Sequence, residues 1–379
     1  MATATTASAL FQPVKVGRLQ LAHRVVLCPL TRYRASNPGH VPVLPMVKEY
    51  YTQRASTPGT LLITEATFIA ARAGGTPNIP GIWSEEQIAA WKEVTDSVHA
   101  AGSYLYLQLW ALGRAANPQH LQKEDPSFPY VSASDVKLAA KPPPRPLAVN
   151  EIHEYVELYA QAAKNALRAG FDGVEVHGAN GYLIDQFIQD VSNKRTDEYG
   201  GSVEKRCRFA LEVLEAVTSA VGANRTGIRL SPWSTFQEMR MADPTPTFTH
   251  LVSQIKKAHP DLAYLHVIEP RINGGTDAKG DVEDDSESND FIRALWAPKI
   301  LISAGGYTRE SALARAEKAG ELIGFGRPFL ANPDLPVRLM KDLAMNQPNR
   351  KTFYTAASAE GYTDYPFAGQ SEAQNKAKA

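Results

Sequence analysis

The fold class that the sequence predicts is α/β, a (β/α)8 TIM barrel with an N-terminal β-hairpin and long loops after strands three and six. Three observations carry that expectation. Short apolar runs of strand length recur along the chain, stretches with the spacing of buried helix faces lie between them, and glycine stands where those stretches have to stop. Strands that are always separated by helices must run parallel, and closing eight of them into a ring leaves no exposed edge. A doubly wound open sheet is the other arrangement that the alternation allows. No composition shift or internal repeat divides the chain, so residues 1–379 are expected to form one domain with its core at about residues 10–367.

In chain order, Leu10–Val14 and Gly17–Leu19 read as a small hairpin closing the bottom of the barrel. The eight strand candidates are Val25–Cys28, Leu61–Thr64, Tyr104–Leu109, Gly173–His177, Gly227–Leu230, Tyr264–Val267, Ile300–Ser303 and Leu322–Phe325. Helical spacing is clearest over Glu85–Ala101, Glu151–Ala169, Glu204–Val221 and Arg309–Ala319. Ser84 with Gln87 forms a capping box at the start of the first of these, flanked by Trp83 and Ile88 as a hydrophobic staple. Gly102, Gly170, Gly222 and Gly320 are placed to end the four helices in a left-handed residue. Two excursions leave the C-terminal ends of strands. One is the Pro-rich Gly113–Pro146, and the other is Arg271–Asn289, which is acidic through Asp281, Glu283, Asp284, Asp285 and Glu287. Loops this long read as lids or solvated surface. No EF-hand spacing is present and no metal site is expected.

Composition narrows the function classes. Forty Lys+Arg balance forty Asp+Glu, which removes the electrostatic case for nucleic acid or an anionic membrane and leaves a small molecule as the expected partner. Hydrophobic residues make up 44%, ample for a continuous core. With only Cys28 and Cys207 there is no disulfide framework and no Cys-rich metal site; both read as core or helix residues of a reducing compartment. The Ala/Thr-rich start lacks the charged and apolar regions of a secretory signal, no segment has membrane-spanning length, and a cytoplasmic monomer or homodimer is expected.

Chemistry belongs where barrel strands end. Strand four runs into Gly173-Val-Glu-Val-His177-Gly-Ala-Asn180-Gly-Tyr182, which offers an imidazole, an amide NH2 and a phenol, and no strong nucleophile. In a functional reading His177 and Asn180 hold an oxygen gaining negative charge while Tyr182 delivers a proton. A satisfied histidine beside ordinary turn residues is the competing reading. Thr31, Ala66, Gln108, Trp110 and Arg229 stand at the ends of strands one, two, three and five. Strands seven and eight run into Gly305-Gly306 and Gly326-Arg327, and exposed N–H groups with a guanidinium at that corner of a barrel suit a phosphate. A cationic Arg229 at the barrel mouth needs an anion: either the pyrimidine edge of a reduced flavin or a core carboxylate such as Glu175.

Taken together, these residues resemble the Old Yellow Enzyme family of FMN-dependent ene-reductases, above all its yeast and fungal members. The matching motifs are Pro29-Leu-Thr31-Arg, Ile63-Thr-Glu65, Gly81-Ile-Trp-Ser-Glu-Glu, Gln108-Leu-Trp110, His177-Gly-Ala-Asn180-Gly-Tyr182, Arg195-Thr-Asp-Glu-Tyr-Gly-Gly-Ser202, Arg229-Leu-Ser-Pro, Gly326-Arg327 and Gly361-Tyr-Thr-Asp-Tyr-Pro366. The resemblance implies noncovalent FMN held by Thr31, Ala66, Gln108, Arg229, Gly305, Gly306, Gly326 and Arg327, with NADPH as reductant. It implies a substrate pocket at Trp110, His177, Asn180, Phe353 and Tyr354, taking an α,β-unsaturated ketone or aldehyde, with Tyr182 as proton donor. Arg195 and Glu198 match positions that read as structural.

Thr76 stands where the yeast enzymes have a pocket tyrosine, and the loops at Gln237–Pro246 and Asn273–Ser288 also differ, which bears on substrate preference. Some fungal relatives act on aldehydes of ergot alkaloid synthesis, where phenylalanine in place of the tyrosine accompanies isomerase behaviour; this chain has Tyr182. The alternatives are an aldehyde reductase of that kind, a 2-hydroxy-acid oxidase on the same barrel, for which no base stands out on this face, and a noncatalytic flavoprotein that binds phenols or steroids.

Overall fold

The computed structural model describes residues 8–277 and 287–370. Its eight barrel strands are Val25–Leu27, Leu61–Ile63, Tyr104–Trp110, Gly173–Gly178, Thr226–Leu230, Tyr264–Ile268, Leu301–Ala304 and Leu322–Phe325. Each pairs in parallel with its neighbour, and the eighth returns to the first through Ile323↔Val25 and Phe325↔Leu27. The sheet is therefore a closed ring, and the open-sheet alternative falls away. Every strand sits within one residue of its expected start, because strands buried on both faces read as unbroken apolar runs.

Alternate residues face alternate ways. Val26, Leu61, Ile63, Tyr106, Tyr264, Ile302 and Leu322 fill the barrel from below, where Val16, Leu19 and Leu21 of the N-terminal hairpin close it. The other faces, including Val25, Leu27, Leu107, Val174 and Ile228, pack under the helices in the main core. The hairpin itself departs from the expected bounds: its arms are Val14–Val16 and Leu19–Leu21, with Val16 opposite Leu19. Leu10 lies in a short 3-10 turn, Ala9–Phe11, and is buried in the outer core instead. Period two explains the shift, since Val14 and Val16 flank Lys15 as Leu19 and Leu21 flank Gln20.

The helix Glu85–Ala100 opens with the expected capping box: the Gln87 N–H donates to Ser84 Oγ at 3.2 Å and the Ser84 N–H to Gln87 Oε1 at 3.1 Å. The next long helices are Val149–Arg168, Val203–Val221 and Arg309–Ala319. Gly102, Gly170, Gly222 and Gly320 all have positive φ. Gly222, with ψ 139°, leaves the helical region outright, whereas Gly320 is a true left-handed cap. Three outer helices, Met46–Arg54, Thr245–Ala258 and Asp290–Trp296, were not among the clear sequence signals.

The two excursions are not bare loops. The first carries a 3-10 turn at Gly113–Ala115, a helix at Pro118–Glu124 and two short parallel strands, Val131–Ser132 and Arg145–Pro146. The second begins with a hairpin of Ile272–Asn273 and Thr276–Asp277. Asp281, Glu283, Asp284 and Asp285 lie outside the described residues, while Glu287 pairs with Arg240 at 2.7 Å. Among the described residues no three His, Cys, Asp or Glu side chains are grouped to hold a metal, and no helix is long and apolar enough to cross a membrane. Cys28 and Cys207 are both free and buried.

Candidate active site

A cavity of about 670 Å³ opens at the C-terminal ends of the strands, a size that suits a cofactor and a small ligand. It gathers residues from all round the ring. Thr31, Ala66, Gln108, Trp110, His177, Asn180, Tyr182, Arg229, Gly305, Gly306, Gly326, Arg327, Phe353 and Tyr354 all line it. Several of the polar atoms among these residues have no partner in the protein. His177 Nδ1, Asn180 Oδ1, Arg229 Nε and Trp110 Nε1 are buried without any protein partner. Buried donors and acceptors are normally paired, so four such atoms on one cavity point to a polar ligand there.

The strand-four end is built by its turn. His177 ends the straight part of the strand, level with Arg229 on strand five. Asn180 and Gly181 then both take positive φ, 58° and 71°, which swings Tyr182 back over the cavity before the short helix Leu183–Ile188 begins. Asparagine and glycine are the residues that tolerate this conformation best. The ring of Tyr182 meets Trp110 edge-on at 4.7 Å and lies 5.2 Å from His177. Phe68 stacks behind Trp110 at 5.2 Å.

Electrostatics set the protonation states. Burial, together with the Arg229 and His266 charges, holds the His177 imidazole well below its ordinary value, so it is neutral at pH 7. Burial raises the Tyr182 phenol above its ordinary value, with Tyr33 and Tyr354 adding to the effect, so it keeps its proton. Both groups are therefore hydrogen-bond donors across the working range.

The sequence left Arg229 two partners, and the structure removes one. Glu175 is fully buried, but it accepts from Gln108 Nε2 at 2.7 Å and from His266 Nδ1 at 2.8 Å, and makes no ion pair with Arg229. Burial pushes the Glu175 carboxyl up, yet the His266 contact, the Arg229 charge and the Gln108 bond outweigh it and hold the carboxyl below its ordinary value. Arg229 thus faces the cavity with Nε unpaired. Gln108 gives one of its two amide N–H bonds to Glu175, which leaves its second N–H and its carbonyl oxygen to meet a ligand.

The phosphate corner is partly as expected. Gly305 (φ 127°) and Gly306 (φ 62°) form a turn whose first residue suits glycine alone, since a Cβ on Gly305 would stand 2.8 Å from Ile272 Cγ1 at a φ that side chains rarely adopt. Arg327 lies there too, but its guanidinium forms a two-point ion pair with Asp277 of the hairpin after strand six. That hairpin joins the corner only through folding, so its carboxylate could not be placed from sequence. Tyr354 is 56% exposed at the rim while Phe353 is buried beneath it.

Several residues in or beside the cavity wall had no sequence signal. Tyr33 packs on the lining residue Tyr354 at 5.3 Å and adds to the upward shift of the Tyr182 phenol; its place two residues after Thr31 could have suggested it. Phe236, from the loop after strand five, stands against Gly274 of the next loop, and nothing local marks it. Arg195 is structural: it pairs with Asp197 at 2.6 Å and donates to Ala133 O and Leu147 O, away from the cavity. Glu198 pairs with Arg208 on the surface.

Residues 9–346 match the NADH:flavin oxidoreductase / NADH oxidase family. A chanoclavine-I aldehyde reductase of Penicillium roqueforti is 55% identical over 366 residues, 95% of this chain and 97% of that protein. A probable inactive reductase of Epichloe festucae var. lolii is 49% identical over 380 residues, 98% of each chain. The crystal structure of the Old Yellow Enzyme from Pichia sp. AKU4542 superposes with a TM-score of 0.87 at 36% identity, over 96% of this chain and 95% of that one. With the closed barrel, the strand-four turn and these matches in agreement, the chain belongs to the Old Yellow Enzyme family of flavin-dependent oxidoreductases.

Proposed function

We propose that the protein is an FMN-dependent ene-reductase that uses NADPH to reduce the activated C=C bond of α,β-unsaturated carbonyl compounds. The observation that carries this reading is the trio on the strand-four turn: a neutral buried His177 with Nδ1 unpaired, Asn180 with its amide at the cavity, and a protonated Tyr182 within 5.2 Å of the imidazole, measured between ring centroids. FMN, when bound, supplies the hydride.

The chain's own groups do the rest. Gly305, Gly306, Gly326 and Arg327 would hold the phosphate. Arg229 would offer positive charge and Gln108 an amide to a bound flavin, in a cavity that Thr31 and Ala66 also line. His177 and Asn180 donate to the substrate oxygen, which draws electron density from the conjugated system and stabilises the charge that grows there. Tyr182 protonates the α-carbon as general acid. Trp110, Phe353 and Tyr354 enclose the apolar body of the substrate and exclude water.

Relatives named chanoclavine-I aldehyde reductases, 55% and 46% identical, support an aldehyde as substrate. Anaerobic addition of NADPH tests the proposal: the yellow protein bleaches and regains its colour on adding cyclohexenone. Protein that bleaches but stays bleached with both cyclohexenone and enals would overturn it.

A further inference from the structure

The turn bearing Asn180 and Tyr182 is held by side chains that do not line the cavity. The Asn180 N–H donates to Ser231 Oγ at 2.8 Å, and Asn180 O accepts from Gln237 Nε2 at 2.6 Å. The Gly181 N–H donates to Asp185 Oδ2 at 2.8 Å, and Gly181 O accepts from Gln186 Nε2 at 2.7 Å. Asp185 is the titratable member of this set and is fully buried. Its other oxygen, Oδ1, accepts from Gln189 Nε2 at 2.8 Å. Gln189, also fully buried, accepts on Oε1 from the Arg240 N–H at 2.9 Å. A single chain of hydrogen bonds therefore runs from the peptide between Asn180 and Gly181, through a carboxyl group and an amide, to the backbone of the loop after strand five.

That loop has its own reason to need an anchor. Gln237, Glu238 and Arg240 all take positive φ, at 58°, 56° and 97°, which side chains other than glycine's adopt at a cost. Arg114 holds it from the opposite side, donating through Nη2 to Gln237 O at 2.9 Å. The same loop contributes Phe236 to the cavity wall. We infer that Asp185 and Gln189 are positioning residues that set the height of Asn180 and Tyr182 over the cavity and lock the loop after strand five to that height. The inference rests on the proposed roles of those two side chains.

The polarity of the relay supplies the test. In Asp185→Asn the new amide can still accept from the Gly181 N–H, but its NH2 then faces the NH2 of Gln189. In the double variant Asp185→Asn/Gln189→Glu every bond returns, the one between the two side chains with its direction reversed. The amide now at position 185 donates to the carboxylate now at position 189, which still accepts from the Arg240 N–H. Stopped-flow traces of the two half-reactions and backbone amide exchange over residues 180–182 are measured for wild type, Asp185→Asn, Gln189→Leu and the double variant.

Misplacing a reacting group by an ångström costs about 10²-fold in rate, so both single variants should slow reoxidation by cyclohexenone ten- to a hundredfold. Reduction by NADPH and FMN occupancy should stay at the wild-type level. The Gly181 amide should exchange faster, and the double variant should restore both rate and protection. Wild-type reoxidation in both single variants would overturn the positioning role. So would parallel loss of both half-reactions with FMN, or a double variant no better than Asp185→Asn. If wild type itself is not reoxidised by enones, the proposed function fails, and the exchange pattern still decides whether the relay holds the turn.

Discussion

Tyr182 is the residue whose proposed role separates best from packing. Its phenol stays protonated because burial disfavours the anion, and a general acid typically contributes about 10²–10⁴-fold. Hydride transfer from NADPH to the flavin does not use that proton. Tyr182→Phe should therefore leave the reductive half-reaction unchanged and slow reoxidation by cyclohexenone by a factor in that range; equal slowing of both halves in stopped-flow would reduce Tyr182 to a wall residue. For the carbonyl grip, loss of one oxyanion-type donor costs about 10²–10³-fold, and His177→Ala and Asn180→Ala should each lower kcat/KM for enones by that much.

Asp185 adds a pH signature. Burial raises its carboxyl from 3.8 to about 7, against the opposing pulls of the Gln189 bond, the Gly181 N–H and the Arg114 charge. The folded protein thus binds a proton that the unfolded chain has already released, so the stability Asp185 contributes is full below about pH 4 and is lost as pH rises through about 7. Glu65, raised by burial to about 7 as well, acts in the same direction. Subtracting the Tm-against-pH curve of Asp185→Asn from that of wild type isolates the Asp185 share. A difference that does not decline between pH 4 and 7 would contradict the raised value.

At the scale of elements, the turns after strands seven and eight carry the clearest prediction. A Cβ on Gly305 collides with Ile272, at a φ that side chains rarely adopt. Gly305→Val should yield barrel protein that purifies with little or no FMN, measured by the visible absorbance per mole of chain. Arg327 is a subtler case, because Asp277 already holds its guanidinium. If a phosphate must compete with that carboxylate, Asp277→Asn should tighten FMN binding while Arg327→Glu weakens it, both read as Kd by quenching of flavin fluorescence. Away from the site, Ser84→Ala removes the side-chain acceptor of one capping box and should cost about 1 kcal/mol of stability, seen as a lowered Tm with unchanged activity.

For the whole molecule, cofactor and fold are linked through mass action. The cavity lies inside the ring of strands, with His177, Gln108 and Arg229 rising from the barrel itself, so a ligand there binds only the closed barrel. Free FMN at a hundred times its Kd should stabilise the protein by about 2.7 kcal/mol. The apoprotein's Tm should accordingly climb with FMN concentration and not with riboflavin, which lacks the phosphate that the Gly305–Gly306 corner would hold.

Much of this was legible in the sequence because barrel strands buried on both faces are continuous apolar runs, and because helix ends must be closed by groups such as Ser84, Gln87 and Gly320. The strand-end residues could be read from their position after each run, and all of them meet in one cavity. What local pattern does not encode is pairing between segments far apart in the chain. Glu175 could not be assigned to Gln108 and His266 rather than to Arg229 until the ring closed and set their register. Asp277 came to Arg327, and Gln237, Gln189 and Asp185 came to the Asn180–Gly181 turn, only when loops from different strands were folded onto one face. Periodicity and residue type are local properties, so the barrel and the chemical groups at its mouth can be read along the chain. Tertiary structure alone decided which of those groups are satisfied by one another and which are left for a ligand, because a buried hydrogen bond depends on where the second partner lies.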